Sequence, residues 1–274
     1  MKEIAGRDAA ALLEACVRIV RESGDMVRGR WSAPSRVEHK GAVDLVTDTD
    51  LAVEAFLKER LGGLVPGAAF LAEESSAPDG PAADAGPCWI IDPVDGTTNF
   101  VHRLAQVSTS VALWADGAVQ LGVVNGPMLG KEGECFSALR GGGAFLNGRP
   151  IAVSRASALT DALLCTGFPY ELAGRLELVL ERLRRVLPAT QGMRRMGSAA
   201  LDLAFVACGR LDVFYEDWLK PWDLAAGWLL VEEAGGRVSG LDGAPFRFGG
   251  ALLATNGILH PAMAELLGPT EARA

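Results

Sequence analysis

Asp92 and Asp95 stand three residues apart in the run Asp-Pro-Val-Asp-Gly-Thr-Thr, which closes the apolar stretch 88–92. Pro93 fixes one φ angle of the turn and Gly96 lets the backbone approach a ligand closely. Two carboxylates so placed can share a cation. The carbonyl of Val94 is a further hard oxygen ligand, and the amides of Gly96, Thr97 and Thr98 can face a phosphate at a helix start. Glu73 and Glu74 follow a second apolar run, residues 68–75. Asp223 follows Pro221 and Trp222, where proline in the first helical position puts the carboxylate in the first turn. Asp44, Asp48 and Asp50 lie in Val-Asp-Leu-Val-Thr-Asp-Thr-Asp, with Asp50 read as the N-cap of a helix that begins at Leu51. Glu216 ends the apolar run Leu-Asp-Val-Phe-Tyr-Glu.

Each of these acids alone has an ordinary structural role, as a cap or a solvated strand end. Their repetition at strand ends and helix starts changes the reading, because ligands of α/β proteins gather there. The donors are all oxygens, a set that suits Mg²⁺ or Mn²⁺ better than Zn²⁺. His39, His102 and His260 share no ligand-like spacing and are read as surface or supporting residues. No Ser-His-Asp or Cys-His order stands out.

The elements that must position these residues follow from periodicity. Helical spacing is predicted from Asp8 to about Arg30 and from Leu51 to Leu61. Strands are predicted at 43–47, 68–75 and 88–92, then on both sides of the turn 115–117, with further strand-like pieces to Ile151-Ala152-Val153. Residues 75–87 read as a loop, and the Gly-rich 140–143 as a hairpin turn. Beyond about residue 155 strands and helices alternate: strand 162–167, helix 171–187, a short piece around Arg194, helix 197–208, strand 211–216, helix 221–234, two strands and a last helix. The chain therefore reads as α/β with an α+β N-terminal half, residues 1–152 forming one half and 153–274 the other.

Composition bounds the partners. The 274 residues exceed one ordinary core. The 26 basic against 34 acidic residues leave a net charge of -8, which opposes a nucleic-acid backbone and an anionic membrane. An anionic substrate would need cations beside it. Five scattered cysteines form no zinc or disulfide pattern, and with no long apolar segment the expectation is a cytoplasmic protein.

With these residues assembled, the sequence resembles the inositol monophosphatase family, Mg²⁺-dependent and lithium-sensitive phosphatases with fructose-bisphosphatase relatives. The likeness rests on VDLVTDTD, LAEES, WIIDPVDGTTNFVH, GGGAFLNGRPI, GSAALDLAFVACGRLDVFYE, PWDLAAGWLLVEEAGG and LLATNG, in that order. TGFPYE, RRMGSAALD and KPWD look closer to the bacterial branch than to the animal one. The resemblance implies a layered αβαβα sandwich and two or three Mg²⁺ ions, Mn²⁺ being an alternative. Glu73, Asp92 and the Val94 carbonyl would hold one ion, and Asp92, Asp95 and Asp223 a second. Gly96 and Thr97 would hold phosphate, while Thr97 and Glu73 orient the attacking water and Asp50 supports them. Gly197, Ser198, Ala199 and Glu216 would face the alcohol portion, with Arg194 lining the same pocket and Asp223 beside it. Lys40 matches the family's lysine ahead of the first motif.

The chemistry so implied is direct hydrolysis of a phosphomonoester, inositol 1-phosphate, with no phosphoenzyme. The same chemistry on fructose 1,6-bisphosphate, histidinol phosphate or a nucleotide 3'-phosphate is the nearest alternative. A dehalogenase-like phosphatase with Asp48 as nucleophile competes weakly, since Ala52 replaces that motif's threonine. A homodimer is expected from the family. A contact with RNA polymerase is the alternative of another class, although Arg182, Arg184 and Arg185 read as a solvated helix face balanced by Glu177 and Glu181.

Overall fold

The first helix owes its start to one side chain: Asp8 accepts from the Ala11 amide at 2.8 Å and caps α1 (Ala9–Arg30). This computed structural model describes residues 3–32, 36–39, 45–77, 80–81, 86–169 and 171–268. Lys40, Val43 and Asp44 lie outside the described residues. Two small ladders flank α1, β1 (Glu3–Ile4) with β2 (Arg7–Asp8), and β3 (Val37–His39) with β4 (Leu45–Thr47). The second helix, α2 (Asp48–Leu64), starts three residues before the expected Leu51. Its cap is Thr47, and Asp50 sits at the third helical position, reaching back to the Thr47 amide in a capping box.

Seven strands follow: β5 (Ala69–Ala72), β6 (Cys88–Asp95), β7 (Ser108–Ala115), β8 (Ala118–Gly126), β9 (Glu134–Leu139), β10 (Gly143–Leu146) and β11 (Arg149–Pro150). They lie side by side in chain order, antiparallel except for the parallel pair β5 and β6. The short helix α3 (Thr97–His102) interrupts the run after β6. Residues 151–153, expected to be a strand, carry no ladder; the Val153 amide instead donates to the Ala234 carbonyl.

Among the described residues the second sheet has five strands, β12 (Leu163–Thr166), β13 (Gly192–Arg194), β14 (Val213–Glu216), β15 (Arg237–Ser239) and β16 (Leu252–Thr255), in the order β13-β12-β14-β16-β15. Between them run α4 (Leu176–Val186), α5 (Ala199–Ala207) and α6 (Pro221–Glu233), and α7 (His260–Leu267) ends the description. The expected helix from residue 171 begins only at Leu176, after a turn in which Gly174 has φ +74°.

Burial explains the layering. Trp89, Ile91, Val111 and Leu121 on one face of the first sheet pack on Leu12, Ile19, Leu57 and Leu61 of α1 and α2. Ile90, Val124 and Phe136 on the opposite face meet α5 and α6, which also bury Phe214, Leu252 and Ala254 of the second sheet. Every residue of α5 is buried, as expected of a helix clad in sheet on both sides. The far face of the second sheet, with Leu164, Val213 and Leu253, is covered by Val186 of α4 and by Met263 and Leu267 of α7. The result is an α/β sandwich of αβαβα type. The two sheets divide near residue 152, yet one central core joins them.

Two side-chain expectations change. His260 is a core residue: its Nε2 is 2.8 Å from the Ser239 hydroxyl and its Nδ1 is 3.0 Å from that of Thr255. Arg182 does not face solvent, since it pairs with Asp217 in a largely buried ion pair. Arg185 does pair with Glu181, at 3.8 Å. The turn at 140–143 is a hairpin as read, and the Gly141 and Gly143 amides donate to the Glu233 carboxylate at 2.8 and 2.9 Å.

Candidate active site

The end of β6 is irregular in a way that matters. Asp92 pairs with Ser110 and Asp95 with Ser108, so three steps along β6 match two along β7. In a regular strand residues three apart point to opposite faces; the extra residue of this bulge brings both carboxylates toward the same side. Pro93 sits inside the bulge, where a missing N–H breaks no ladder bond. Asp92 Oδ1 accepts from the Val94 amide at 3.0 Å. Gly96 then turns the chain with φ +91°, and a Cβ there would lie 2.8 Å from the Gln106 carbonyl oxygen and 3.0 Å from that of Gly197. Only glycine fits this turn.

Other elements bring acids to the same place. Asp50 is fully buried, its Oδ2 accepting from the Thr47 amide at 2.9 Å and the Thr47 hydroxyl at 2.5 Å. Thr97 Oγ1 lies 3.1 Å from Asp50 Oδ1 and 3.0 Å from the Val94 carbonyl. Glu73 leaves β5 half-buried, its amide donating to the Ile91 carbonyl at 3.2 Å. Asp95 Oδ2 accepts from the Ser198 hydroxyl at 2.7 Å and the Ala200 amide at 2.8 Å, at the start of α5. Asp223, third in α6, accepts from the Lys220 amide at 2.6 Å.

The electrostatics record the crowding. Burial, then Glu73, Asp95, Asp223 and Asp50, push the Asp92 carboxyl well above the usual range. Asp223 rises strongly from burial, Asp95 and Glu73. Asp95 goes up to about 6, raised by burial and Glu73 and pulled back by its bonds to α5. Burial also raises Asp50, against the bonds from Thr47.

Such a cluster fits hard cations. All its donors are oxygens, and each carboxylate spends only part of about four acceptor positions on the bonds above. Among the described residues no three acids, cysteines or histidines converge tightly enough, as they stand, to share one ion.

The sequence of the inositol monophosphatase family matches residues 8–271. The chain is 40% identical over 265 residues to the inositol-1-monophosphatase of Synechocystis sp., covering 96% of this chain and 91% of the relative. The chain belongs to the inositol monophosphatase family. It is also 40% identical over 234 residues to the Nus factor SuhB of Escherichia coli K12, covering 85% and 86% of the two chains. The crystal structure of the extragenic suppressor protein suhB from Bartonella henselae matches with a TM-score of 0.87 at 36% identity, over 95% of this chain and 99% of that one. Membership makes the protein a phosphatase, of a metal-dependent family with phosphorylated substrates.

Gly197, Ser198 and Ala199 lead into α5, and Glu216 ends β14. A Cβ on Gly167 would lie 2.1 Å from both Glu216 carboxylate oxygens, so the carboxylate rests directly on that glycine. Burial and Asp223 push the Glu216 carboxyl well up, while Arg195 pulls it down. Arg194 is exposed and its Nη1 donates to the Met193 carbonyl at 3.0 Å; the structure does not bring it to the cluster.

Ser198 was expected beside the alcohol portion, but its bond to Asp95 and the parts played by Arg195 and Asp202 escaped the sequence reading. Ser198 is both the cap of α5 and a donor to Asp95. Arg195 carries the charge felt by Glu216. Asp202, in the first turn of α5, is buried with Oδ1 unpartnered, and burial pushes its carboxyl up to about 7.

Proposed function

We propose that this family member is a Mg²⁺-dependent phosphomonoesterase that hydrolyses inositol 1-phosphate to inositol and phosphate. The observation that carries it is Asp92, buried among four other carboxylates with which it interacts. Residues 1–152 would supply Glu73, Asp92, the Val94 carbonyl and Asp95 as ligands, and 153–274 would close the site with Asp223. Bound cations would neutralise the phosphate and make hydroxide available near neutral pH.

The chain's own residues would do the rest. The single Thr97 proton goes to either the Val94 carbonyl or Asp50. When it goes to Asp50, a Thr97 lone pair is left to accept from the attacking water, with Glu73 as second acceptor. Asp50 holds that orientation because the Thr47 amide and hydroxyl fix it. Gly96 and Thr97 would hold the phosphate, and Glu216 would accept from hydroxyls of the alcohol, beside Gly197, Ser198, Ala199 and Asp223.

Lithium sensitivity goes with this reading, Li⁺ taking the Asp92, Asp95 and Asp223 position. The five free cysteines accord with the cytoplasm. Among the described residues no helix is long and apolar enough to cross a membrane. Exposed Leu172, Leu176, Leu178 and Leu187 around α4 support a homodimer. A contact with the transcription machinery is the second reading, carried by the similarity to a protein named a Nus factor.

The test is phosphate release from inositol 1-phosphate, fructose 1,6-bisphosphate, histidinol phosphate and 3'-phosphoadenosine 5'-phosphate, with Mg²⁺ and with EDTA. Mg²⁺-dependent release from the first is the expected result. No release from any of them by folded protein would overturn the reading and turn attention to RNA polymerase binding.

A further inference from the structure

We propose that Glu54 is a positioning residue: reaching from α2, it fixes the backbone on which Glu73 stands and so sets, together with Asp50, where Glu73 and Thr97 meet the attacking water. The inference rests on the phosphomonoesterase reading above and deepens it.

Glu54 lies in α2 and is only 5% exposed. A carboxylate at that depth is costly unless hydrogen bonds hold it. Its Oε2 accepts from the Glu74 amide at 2.9 Å. Its Oε1 accepts from the Ser75 hydroxyl at 2.5 Å and from Lys58 Nζ at 2.9 Å, and Lys58 reaches the Ser75 hydroxyl as well. A glutamate and a lysine four residues apart pair readily on an open helix face, so Lys58 gives no reason for the burial. The turn after β5 does.

That turn is pinned at consecutive peptides. The Glu73 amide donates to the Ile91 carbonyl of β6 at 3.2 Å, and the Glu74 amide to Glu54 of α2. Glu73 therefore stands between two anchors on different elements. Behind it the turn closes on β5: the Ser75 and Ser76 amides donate to the Ala72 carbonyl at 3.2 and 3.0 Å, and the Ala72 amide donates to the Ser76 hydroxyl at 3.0 Å.

Asp50 and Glu54 are four residues apart, so they share one face of α2 about 6 Å from each other along its axis. Asp50 Oδ1 is 3.1 Å from Thr97 Oγ1. One helix thus holds both segments that supply acceptors to the water, Thr97 after β6 and Glu73 after β5. Such spacing matters to rate, because a misplacement of about 1 Å can cost about a hundredfold.

All three partners of Glu54 donate, which is why a carboxylate stands there. In Glu54→Gln the amide oxygen can keep the Glu74 N–H, the NH₂ can turn to the Ser75 hydroxyl, and Lys58 can turn to water. In Glu54→Ala the Glu74 amide loses its partner. Glu54→Asp keeps the charge but is one methylene too short to reach that amide.

The test uses these three variants and wild type in two measurements: kcat and KM for inositol 1-phosphate at saturating Mg²⁺, and the melting temperature as Mg²⁺ is titrated in without substrate. In Glu54→Ala, kcat is expected to fall by about tenfold and the Mg²⁺ midpoint of the melting shift to rise by about tenfold, the lower end of the losses seen when support for metal ligands is removed. KM for inositol 1-phosphate should change little. Glu54→Gln should recover most of both losses. Glu54→Asp should shift both in the same direction as Glu54→Ala, and it carries the test if the alanine variant does not fold. A merely structural Glu54 gives another pattern, a lower melting temperature in EDTA with the kcat and Mg²⁺ midpoint of wild type, and that result overturns the proposal. Glu54→Gln as impaired as Glu54→Ala overturns it too. Failure of the underlying reading is distinct: folded wild type then releases no phosphate, whereas the Mg²⁺ titration reads the effect of Glu54 without any substrate.

Discussion

The Ser198 hydroxyl donates to Asp95 Oδ2 at 2.7 Å, joining the cap of α5 to the bulged end of β6. The Ala200 amide adds a second bond at 2.8 Å, so the positive end of a helix dipole faces a carboxylate that its neighbours repel. Ser198 has one proton, given to Asp95; the contact of 3.1 Å with Ser108 must therefore be donated by Ser108. The acid cluster is thus tied to the helix layer between the two sheets.

Asp95→Asn keeps that tie, because an amide oxygen still accepts from Ser198 and Ala200. It removes a charge that cations need. Activity is expected below about a hundredth of wild type, beyond the usual loss for residues that only support ligands. In EDTA the variant should melt no lower than wild type, since one like charge is gone. Phosphate release and a thermal melt followed by circular dichroism check both.

Much of this site could be read from the residues, and for a local reason. Asp92, Asp95 and Asp223 each follow a sharp sequence signal, an apolar strand with proline and glycine or a proline helix start, and these signals act over a few residues. Asp50 was found but misplaced, because Thr47, also a good cap, outcompeted it and the helix began earlier. The bond from Ser198 to Asp95 depended on how α5 packs against distant β6, which no local pattern carries. The burial of His260 was missed likewise, since its partners Ser239 and Thr255 come from two other strands.

Thr97→Val removes the hydroxyl that bridges Asp50 and the Val94 carbonyl while nearly keeping its shape. Activity should fall by about a hundredfold or more, the range typical of lost proton-handling groups. Thr97→Ser should retain most of it. Turnover at saturating substrate is the measurement, and equal losses in both variants would point to packing instead.

Cations should stabilise the fold. At about 100 times their dissociation constant they contribute about 2.7 kcal/mol, enough to raise the melting temperature by several degrees. In EDTA, Asp95 has a folded pKa of about 6 against an ordinary 3.8. A raised folded value gives stability that is present below the ordinary pKa and lost as pH rises through the folded one. Asp92 and Asp223 shift the same way. The gain in melting temperature from Mg²⁺ over EDTA should therefore be larger at pH 7.5 than at pH 5.

Gly167→Ala would drive a Cβ to 2.1 Å from the Glu216 carboxylate oxygens, and that side chain must move. The metal ligands are on other elements and should be undisturbed. KM for inositol 1-phosphate is expected to rise severalfold, while the Mg²⁺ concentration for half-maximal activity stays near that of wild type. A change in the Mg²⁺ requirement alone would contradict this.

His260 gives a pH dependence of opposite sign. Burial, with Arg237 nearby, lowers its pKa from 6.5 to about 4. Its two ring nitrogens face the hydroxyls of Ser239 and Thr255, which suit a neutral ring with one donor and one acceptor. The unfolded chain binds a proton below pH 6.5 and the native protein only near 4. Between those values the unfolded state holds more protons, so stability falls as pH falls. At about 1.4 kcal/mol per pKa unit, the loss approaches about 3 kcal/mol. The carboxylate contribution runs the other way over the same window, so the two must be separated. With saturating Mg²⁺ at each pH, urea unfolding of wild type should weaken from pH 6.5 toward pH 4.5, and His260→Gln, whose amide can still donate and accept, should show a smaller slope. Equal slopes in the two proteins would assign the acid sensitivity to other groups.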